Sequence, residues 1–158
     1  MTRKVFFIVI VICGILLPTF AGGFEPEYSI SGAGTAKQDF YLVNVEVSTK
    51  NKNIPDKDLI KAAVNGVLFR GFSNAGFGDS QKPLAGDASN EAQHADFYNE
   101  FFGKDGTASN YGSVINGSRR VIKSGKIYKV SAIVEVNKGA LVHYLQSANI
   151  INSLNSIF

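Results

Sequence analysis

The chain has 158 residues, of which 45% are apolar and 18% charged, with one cysteine and no tryptophan. This apolar content excludes an intrinsically disordered protein, and this length excludes a multidomain enzyme, because such a chain buries one core of its own. The formal net charge of +3 falls to about +1 without Arg3 and Lys4, so the composition predicts no nucleic-acid partner.

The N-terminal segment has the layout of an export signal. Arg3 and Lys4 precede an unbroken apolar stretch of 13 residues over 5–17, which Pro18 ends and Ala21 soon follows. A helix of that length is roughly 20 Å long, too short for a hydrocarbon layer of about 30 Å. We therefore expect a signal peptide over 1–21, a periplasmic or secreted location and no permanent membrane span. An uncleaved anchor is the alternative.

The cysteine, Cys13, lies inside the predicted signal, so residues 22–158 contain none. The exported part must therefore fold without a disulfide, on its apolar core alone. We expect a single domain over 22–158, and an exported domain without disulfides is typical of bacteria.

Alternation of apolar and polar residues predicts the strands. The clearest example is 40–49, and a second alternating stretch can pair back on it through a turn at 37–39. Ser124-Gly125 is a two-residue hairpin signal between two further strands. The predicted strands are 28–36, 40–49, 120–123 and 126–136.

Helical spacing predicts two long helices. Asp56 is expected to cap the first one, which Arg70 and Gly71 end, and Asn137 is expected to cap the last. Gly66 inside the first helix costs about 1 kcal/mol relative to alanine. Because both apolar stripes need a sheet to cover, the fold class is α+β: an antiparallel sheet of three to four strands with two long helices on one face.

Residues 73–112 form a middle segment that is too long for a plain connection, so it is either structured or functional. Within this segment, the spacing of apolar residues over 90–102 predicts a short amphipathic helix. Its aromatic face contains Tyr98, Phe101 and Phe102. We treat this segment as an insertion into the domain.

Three residues of the middle segment could hold a divalent metal. Glu91 and His94 are three apart on the predicted helix, and Asp87 lies about one turn earlier. The alternative interpretation is structural: Glu91 stabilises the first turn of the helix while His94 packs beside the aromatic residues.

The C-terminal part of the chain is basic, with six Lys or Arg in 119–158 against Glu135, while 75–118 contains six acids against two lysines. The basic hairpin contains Arg119, Arg120, Lys123, Lys126 and Lys129. These side chains could hold a phosphate, a sugar acid or an anionic surface, or they could simply protect an edge strand from pairing.

The stretches GVLFRGFSN (66–74), SQKPLAG (80–86) and EAQHADF (91–97) resemble a group of uncharacterised small exported proteins of Bacteroidetes-type bacteria. The resemblance extends from about Phe40 to the end of the chain. It implies an exported bacterial protein, and it transfers no activity, substrate or catalytic residue.

No complete catalytic motif and no cofactor motif is found, so the leading hypothesis is a non-enzymatic binding module of the cell envelope that acts through the middle segment. Its partner would be an envelope protein, a peptide or a glycan, and the oligomeric state stays open. The alternatives are a metal-assisted hydrolase using Asp87, Glu91 and His94, and a structural subunit of an envelope assembly. The candidate ligand-binding residues are Arg70, Gln81, Lys82, Glu91, His94, Phe97 and Phe101.

Overall fold

A computed structural model describes residues 27–74, 80–86 and 88–152. The predicted signal peptide and Asp87 lie outside the described residues. The strands are Tyr28–Gly32 (β1), Phe40–Thr49 (β2), Phe72–Ser73 (β3), Ser80–Gln81 (β4), Gly112–Val114 (β5), Arg120–Ser124 (β6) and Ile127–Asn137 (β7). The α-helices are Asp56–Phe69 (α1), Ala88–Gln93 (α2), Ala95–Phe102 (α3) and Lys138–Ser147 (α4), and Thr107–Tyr111 is a 3₁₀-helix (η1).

Five strands form the main sheet, and every pairing in it is antiparallel. The order β1-β2-β7 continues into two short strands, β5 and β6, which pair with different halves of β7. The predicted α+β class with an antiparallel sheet is confirmed. The predicted number of three to four strands is too low, because β5 has only three residues and no alternation long enough to identify it.

The centre of the sheet is the long pair of β2 and β7. Val43 lies opposite Val134, and the alternating register continues along both strands in ten residue pairs. Seven inward side chains are buried to 1% exposure or less, and each valine among them contributes roughly 1.5–3 kcal/mol by leaving water. They are Val43, Val45, Val47, Val130, Ala132, Val134 and Val136.

Helix α1 packs its apolar residues against this face, where Leu59, Val64 and Leu68 are fully buried. The prediction that Asp56 caps the helix is wrong. Pro55 is the residue before the helix, no side chain caps it, and the Asp56 carboxylate instead accepts a hydrogen bond from Arg119 at 2.7 Å. The predicted helix end at residues 70 and 71 is confirmed.

The β6–β7 hairpin differs from the prediction in the position of its turn, whereas the predicted cap of α4 is confirmed. The turn of the β6–β7 hairpin lies at residues 125 and 126, because Ser124 pairs with Ile127, one residue later than predicted. Asn137 does cap α4, since its side chain accepts a hydrogen bond from the backbone N–H of Ala140 at 2.9 Å. That α1 and α4 lie on one face of the sheet stays a prediction.

The single helix predicted over 90–102 is two helices, α2 and α3, which are separated at His94. His94 has φ −116° and ψ 31°, outside the helical range, so the regular helix is interrupted there. Of the predicted aromatic face, Tyr98 and Phe101 are buried, at 1% and 3% exposure, and Phe102 is half-buried. Within the described residues, no helix is both long and apolar enough to cross a membrane.

Gly66 allows α1 to approach β1 closely. A Cβ added at Gly66 would lie 2.5 Å from Cδ1 of Ile30, inside van der Waals contact. Glycine at this position therefore lowers the helix propensity of α1 but allows it to pack closely against β1.

We expect Gly66→Ala to destabilise the protein by about 1–3 kcal/mol in chemical denaturation, because the new methyl group overpacks this contact. In an Ile30→Ala background the sign should reverse, with Gly66→Ala now stabilising by up to about 1 kcal/mol through helix propensity. Equal destabilisation in both backgrounds would show that the contact with Ile30 is not the reason for glycine.

Candidate functional site

A cavity of about 380 Å³ opens where the C-terminal end of α3 meets α4 and the start of η1. We call it the aromatic pocket. Its lining contains three aromatic rings, two carboxylates, one hydroxyl and two glycines: Phe97, Phe101, Tyr144, Glu100, Asp105, Thr107, Gly103 and Gly106. All but Tyr144 belong to the middle segment.

The rings of the pocket come from two helices that face each other. Phe97 and Phe101 are one helical turn apart on α3, and their rings stack with centroids 5.7 Å apart and planes within 11°. Tyr144 of α4 lies 5.9 Å from the Phe97 ring and 5.7 Å from the Phe101 ring. The negative faces of such rings attract cations.

The charge of the lining residues is entirely acidic. Glu100 and Asp105 are exposed and flank the turn that follows α3, and no Lys, Arg or His belongs to the lining. The C-terminal end of a helix carries partial negative charge of its own, but at α3 the ammonium group of Lys61 offsets that charge.

Lys61 of α1 holds the turn beside the pocket in place. This lysine is 5% exposed, and its ammonium group donates to the carbonyl oxygens of Phe102 and Gly103. These two bonds engage the charge of Lys61 with the carbonyl end of α3. Lys61 therefore positions the turn that lines the pocket and offsets the negative end of α3, and it forms no ion pair with Glu100 or Asp105.

Gly106 lets the chain fold back against the end of α3. A Cβ at this residue would lie 2.2 Å from the carbonyl oxygen of Phe101 and 2.3 Å from that of Glu100. Any side chain would push the turn away from α3 and open the pocket.

A second cluster brings together two of the sequence-predicted residues, Arg70 and Glu91. The Arg70 guanidinium stacks 3.9 Å over the ring of Tyr28 and donates a hydrogen bond of 2.7 Å to the Tyr28 carbonyl. The Tyr28 hydroxyl donates to the amide oxygen of Asn65. Glu91 is half-buried within electrostatic range of Arg70 and of two tyrosines, Tyr28 and Tyr98.

Burial dominates the ionisation of this cluster. It raises the pKa of Tyr28 to about 12, against a smaller lowering by the Arg70 cation and a further raising by Glu91. Burial also raises the pKa of Glu91, which Arg70 partly offsets. Tyr98 has a pKa well above its usual value for the same reason.

The remaining predicted residues lie apart from the pocket. Gln81 accepts a hydrogen bond of 3.1 Å from the Tyr41 hydroxyl, and Lys82 is exposed beside it. His94 is half-buried at the break between α2 and α3 and caps nothing with its side chain. In the described ranges no three His, Cys, Asp or Glu residues are arranged to hold a metal ion. The predicted triad includes Asp87, outside those ranges, so it stays a prediction.

Of the seven candidate ligand-binding residues, the pocket therefore contains only Phe97 and Phe101. Sequence reasoning missed Glu100, Asp105, Thr107 and Tyr144. The acidic residues of the middle segment, which lie close in sequence to its aromatic face, could have indicated Glu100 and Asp105. Tyr144 carried no signal, because its helical spacing predicts only core packing.

Comparisons with known proteins add nothing to this geometry, since no family model, no curated protein and no solved structure matches the chain.

The raised pKa of Tyr28 predicts a loss of stability in alkali. A tyrosine in the unfolded chain ionises near pH 10, whereas Tyr28 in the folded protein keeps its proton to about pH 12. The folded state therefore binds more protons between these values, and its stability falls as the pH rises through them.

We expect the fall in unfolding free energy between pH 9 and pH 11 to be smaller in Tyr28→Phe than in the wild type by about 1 kcal/mol. Urea denaturation at both pH values measures it. The Tyr28→Phe/Tyr98→Phe variant should lose still less, because Tyr98 shifts in the same direction. Parallel pH profiles for wild type and both variants would contradict the assignment.

Proposed function

We propose that this protein is an exported, non-enzymatic binding module of the bacterial envelope, and that its aromatic pocket takes a positively charged group of a peptide or partner protein. The observation that carries the proposal is the lining of the pocket, where three aromatic rings and two carboxylates occur with no basic side chain. Cation–π attraction and carboxylates favour the same ligand charge.

The chemistry of recognition follows from the position of these groups. The apolar stem of a lysine or arginine side chain would lie along the half-buried rings of Phe97 and Tyr144, which the buried Phe101 ring supports from below, and its charged end would reach Glu100 or Asp105. The carboxylates are exposed, so they gain little by pairing alone, and the rings must supply shape and contact area. We therefore expect a weak, selective site.

Export rests on the N-terminal segment, and the non-enzymatic character rests on the lack of a complete catalytic motif in the sequence. The hydrolase alternative is a separate proposal, centred on Asp87, Glu91 and His94. Metal analysis of untagged protein decides it: bound zinc, manganese or calcium that is lost in Glu91→Gln would support it, and absence of all three would remove its basis.

Ligand charge can be tested with two matched probes, N-acetyl-lysine amide and its uncharged counterpart N-acetyl-norleucine amide. We expect the lysine probe to shift the NMR signals of Phe97, Phe101 and Tyr144 with a Kd of about 1 mM, and the norleucine probe to bind several-fold more weakly. The Glu100→Gln/Asp105→Asn variant should weaken the lysine probe about three- to tenfold.

The control variant Glu27→Gln/Asp96→Asn removes the same charge from exposed residues outside the pocket lining and should leave binding unchanged. Equal binding of both probes would overturn the cationic ligand. Tighter binding of an uncharged sugar such as N-acetylglucosamine would replace it by a glycan, and no shift with any probe would overturn the pocket as a site.

A further inference from the structure

The β6–β7 hairpin projects a basic and partly apolar surface into solvent. All five residues of β6 are exposed, including Val121 at 45% and Ile122 at 59%. We call residues 123–127 the hairpin tip; its side chains, those of Lys123 and Lys126 among them, are all exposed. Edge-strand protection requires charge, but it does not require large aliphatic side chains in water.

The cations of the hairpin differ in their partners. Arg119 pairs with Asp56 at 2.7 Å and Lys129 pairs with Glu46 at 2.8 Å, both on neighbouring elements of the domain. In the part of the chain that the structure describes, no acidic side chain lies within ion-pair distance of Lys123 or Lys126. The tip therefore presents positive charge that no acidic side chain of the described ranges neutralises.

The hairpin tip and the aromatic pocket lie at opposite ends of the longest strand. Strand β7 starts at the tip with Ile127 and ends at Asn137, where α4, the helix that contributes Tyr144, begins. Tyr111, whose ring lies 5.5 Å from that of Tyr144, precedes Gly112, which pairs with Val136 near the same end. Eleven residues of strand extend over about 35 Å, so the tip cannot reach the pocket of its own molecule.

We propose that the occupant of the aromatic pocket is the hairpin tip of a second copy of this chain, with Lys126, assisted by Lys123, as the cation. This inference rests on the proposed function, since it names the partner for the same site. The charges are complementary: the tip offers two ammonium groups that have no ion-pair partner in residues 27–74, 80–86 and 88–152, and the pocket offers two carboxylates beside three rings.

The arrangement dictates the type of assembly. The two surfaces differ and lie at opposite ends, so each contact leaves one free tip and one free pocket. Such a heterologous contact continues as an open chain of subunits unless its rotation closes a ring. The structure thus connects the binding module with the structural subunit of an envelope assembly that the sequence left as an alternative.

The test measures sedimentation of the full chain, produced with its own N-terminal segment, up to about 1 mM, where a contact with a Kd of about 1 mM is still populated. We expect the wild type to form a concentration-dependent series of oligomers that about 0.5 M salt weakens. The tip variant Lys123→Gln/Lys126→Gln and the pocket variant Glu100→Gln/Asp105→Asn should each associate at least tenfold more weakly.

Mixing the two variants is the decisive step. The intact tip of the pocket variant and the intact pocket of the tip variant should form a one-to-one dimer that does not grow. Lys37→Gln/Lys57→Gln, which removes two exposed lysines outside the hairpin, should assemble like the wild type. Circular dichroism and thermal unfolding of every variant exclude misfolding as the cause of lost association.

A monomeric wild type at 1 mM, a tip variant that assembles like the wild type, or a mixture that grows or stays monomeric would each overturn the self-association. If the lysine probe still binds the monomer, the pocket keeps its proposed function and its partner is a basic segment of another protein. If the lysine probe also fails, both proposals are overturned.

Discussion

The register between β2 and β7 is the constraint on which the rest of the structure depends. Ten residue pairs run from Phe40 opposite Asn137 to Thr49 opposite Tyr128, and alternate pairs place valine or alanine on the inner face. A slip by one residue would turn Glu46, Lys129 and their polar neighbours towards the core, at a cost of several kcal/mol for each buried charge. Helix α1 has an apolar surface to cover only because this register holds.

The middle segment is held to this frame by polar bonds as well as by apolar contacts. Lys61 of α1 donates to the last carbonyls of α3, and Asn90 links the Tyr98 hydroxyl to the backbone carbonyl of Ile150. Burying such groups without partners would cost several kcal/mol, so their pairing specifies where α2 and α3 lie. The pocket is a consequence of that placement, because it brings the rings of α3 against Tyr144 of α4.

The fold shows which of the unevenly distributed charges pair within the molecule and which do not. Acidic residues concentrate in the middle segment and basic residues follow it along the chain, a pattern that local docking within one molecule could explain. The structure instead separates Glu100 and Asp105 from Lys123 and Lys126 by the length of β7, while it pairs Arg119 and Lys129 internally. Lys123 and Lys126 have no acidic partner among the described residues, so they are free to act between molecules.

The sequence by itself determined the long elements, because their patterns are local. Alternation over Phe40–Thr49 and Ile127–Asn137, helical spacing over Asp56–Phe69 and the cap at Asn137 all depend on residues close together in the chain. It also identified the aromatic face of the middle segment. The wrong predictions concern residues whose structure depends on tertiary contacts. Asp56 pairs with Arg119 instead of capping α1, and β5 is a three-residue strand that pairs with β7.

The tertiary structure decided the candidate site, since the site joins residues that no local pattern relates. Tyr144 contacts Phe97 and Phe101 where α4 meets α3, and Arg70 and Glu91 come within electrostatic range of each other near the buried Tyr28 side chain. Periodicity identifies which side chains are buried, but it does not indicate which buried side chains contact each other. That choice belongs to the packing of whole elements, which the register of the sheet and a few buried polar bonds determine.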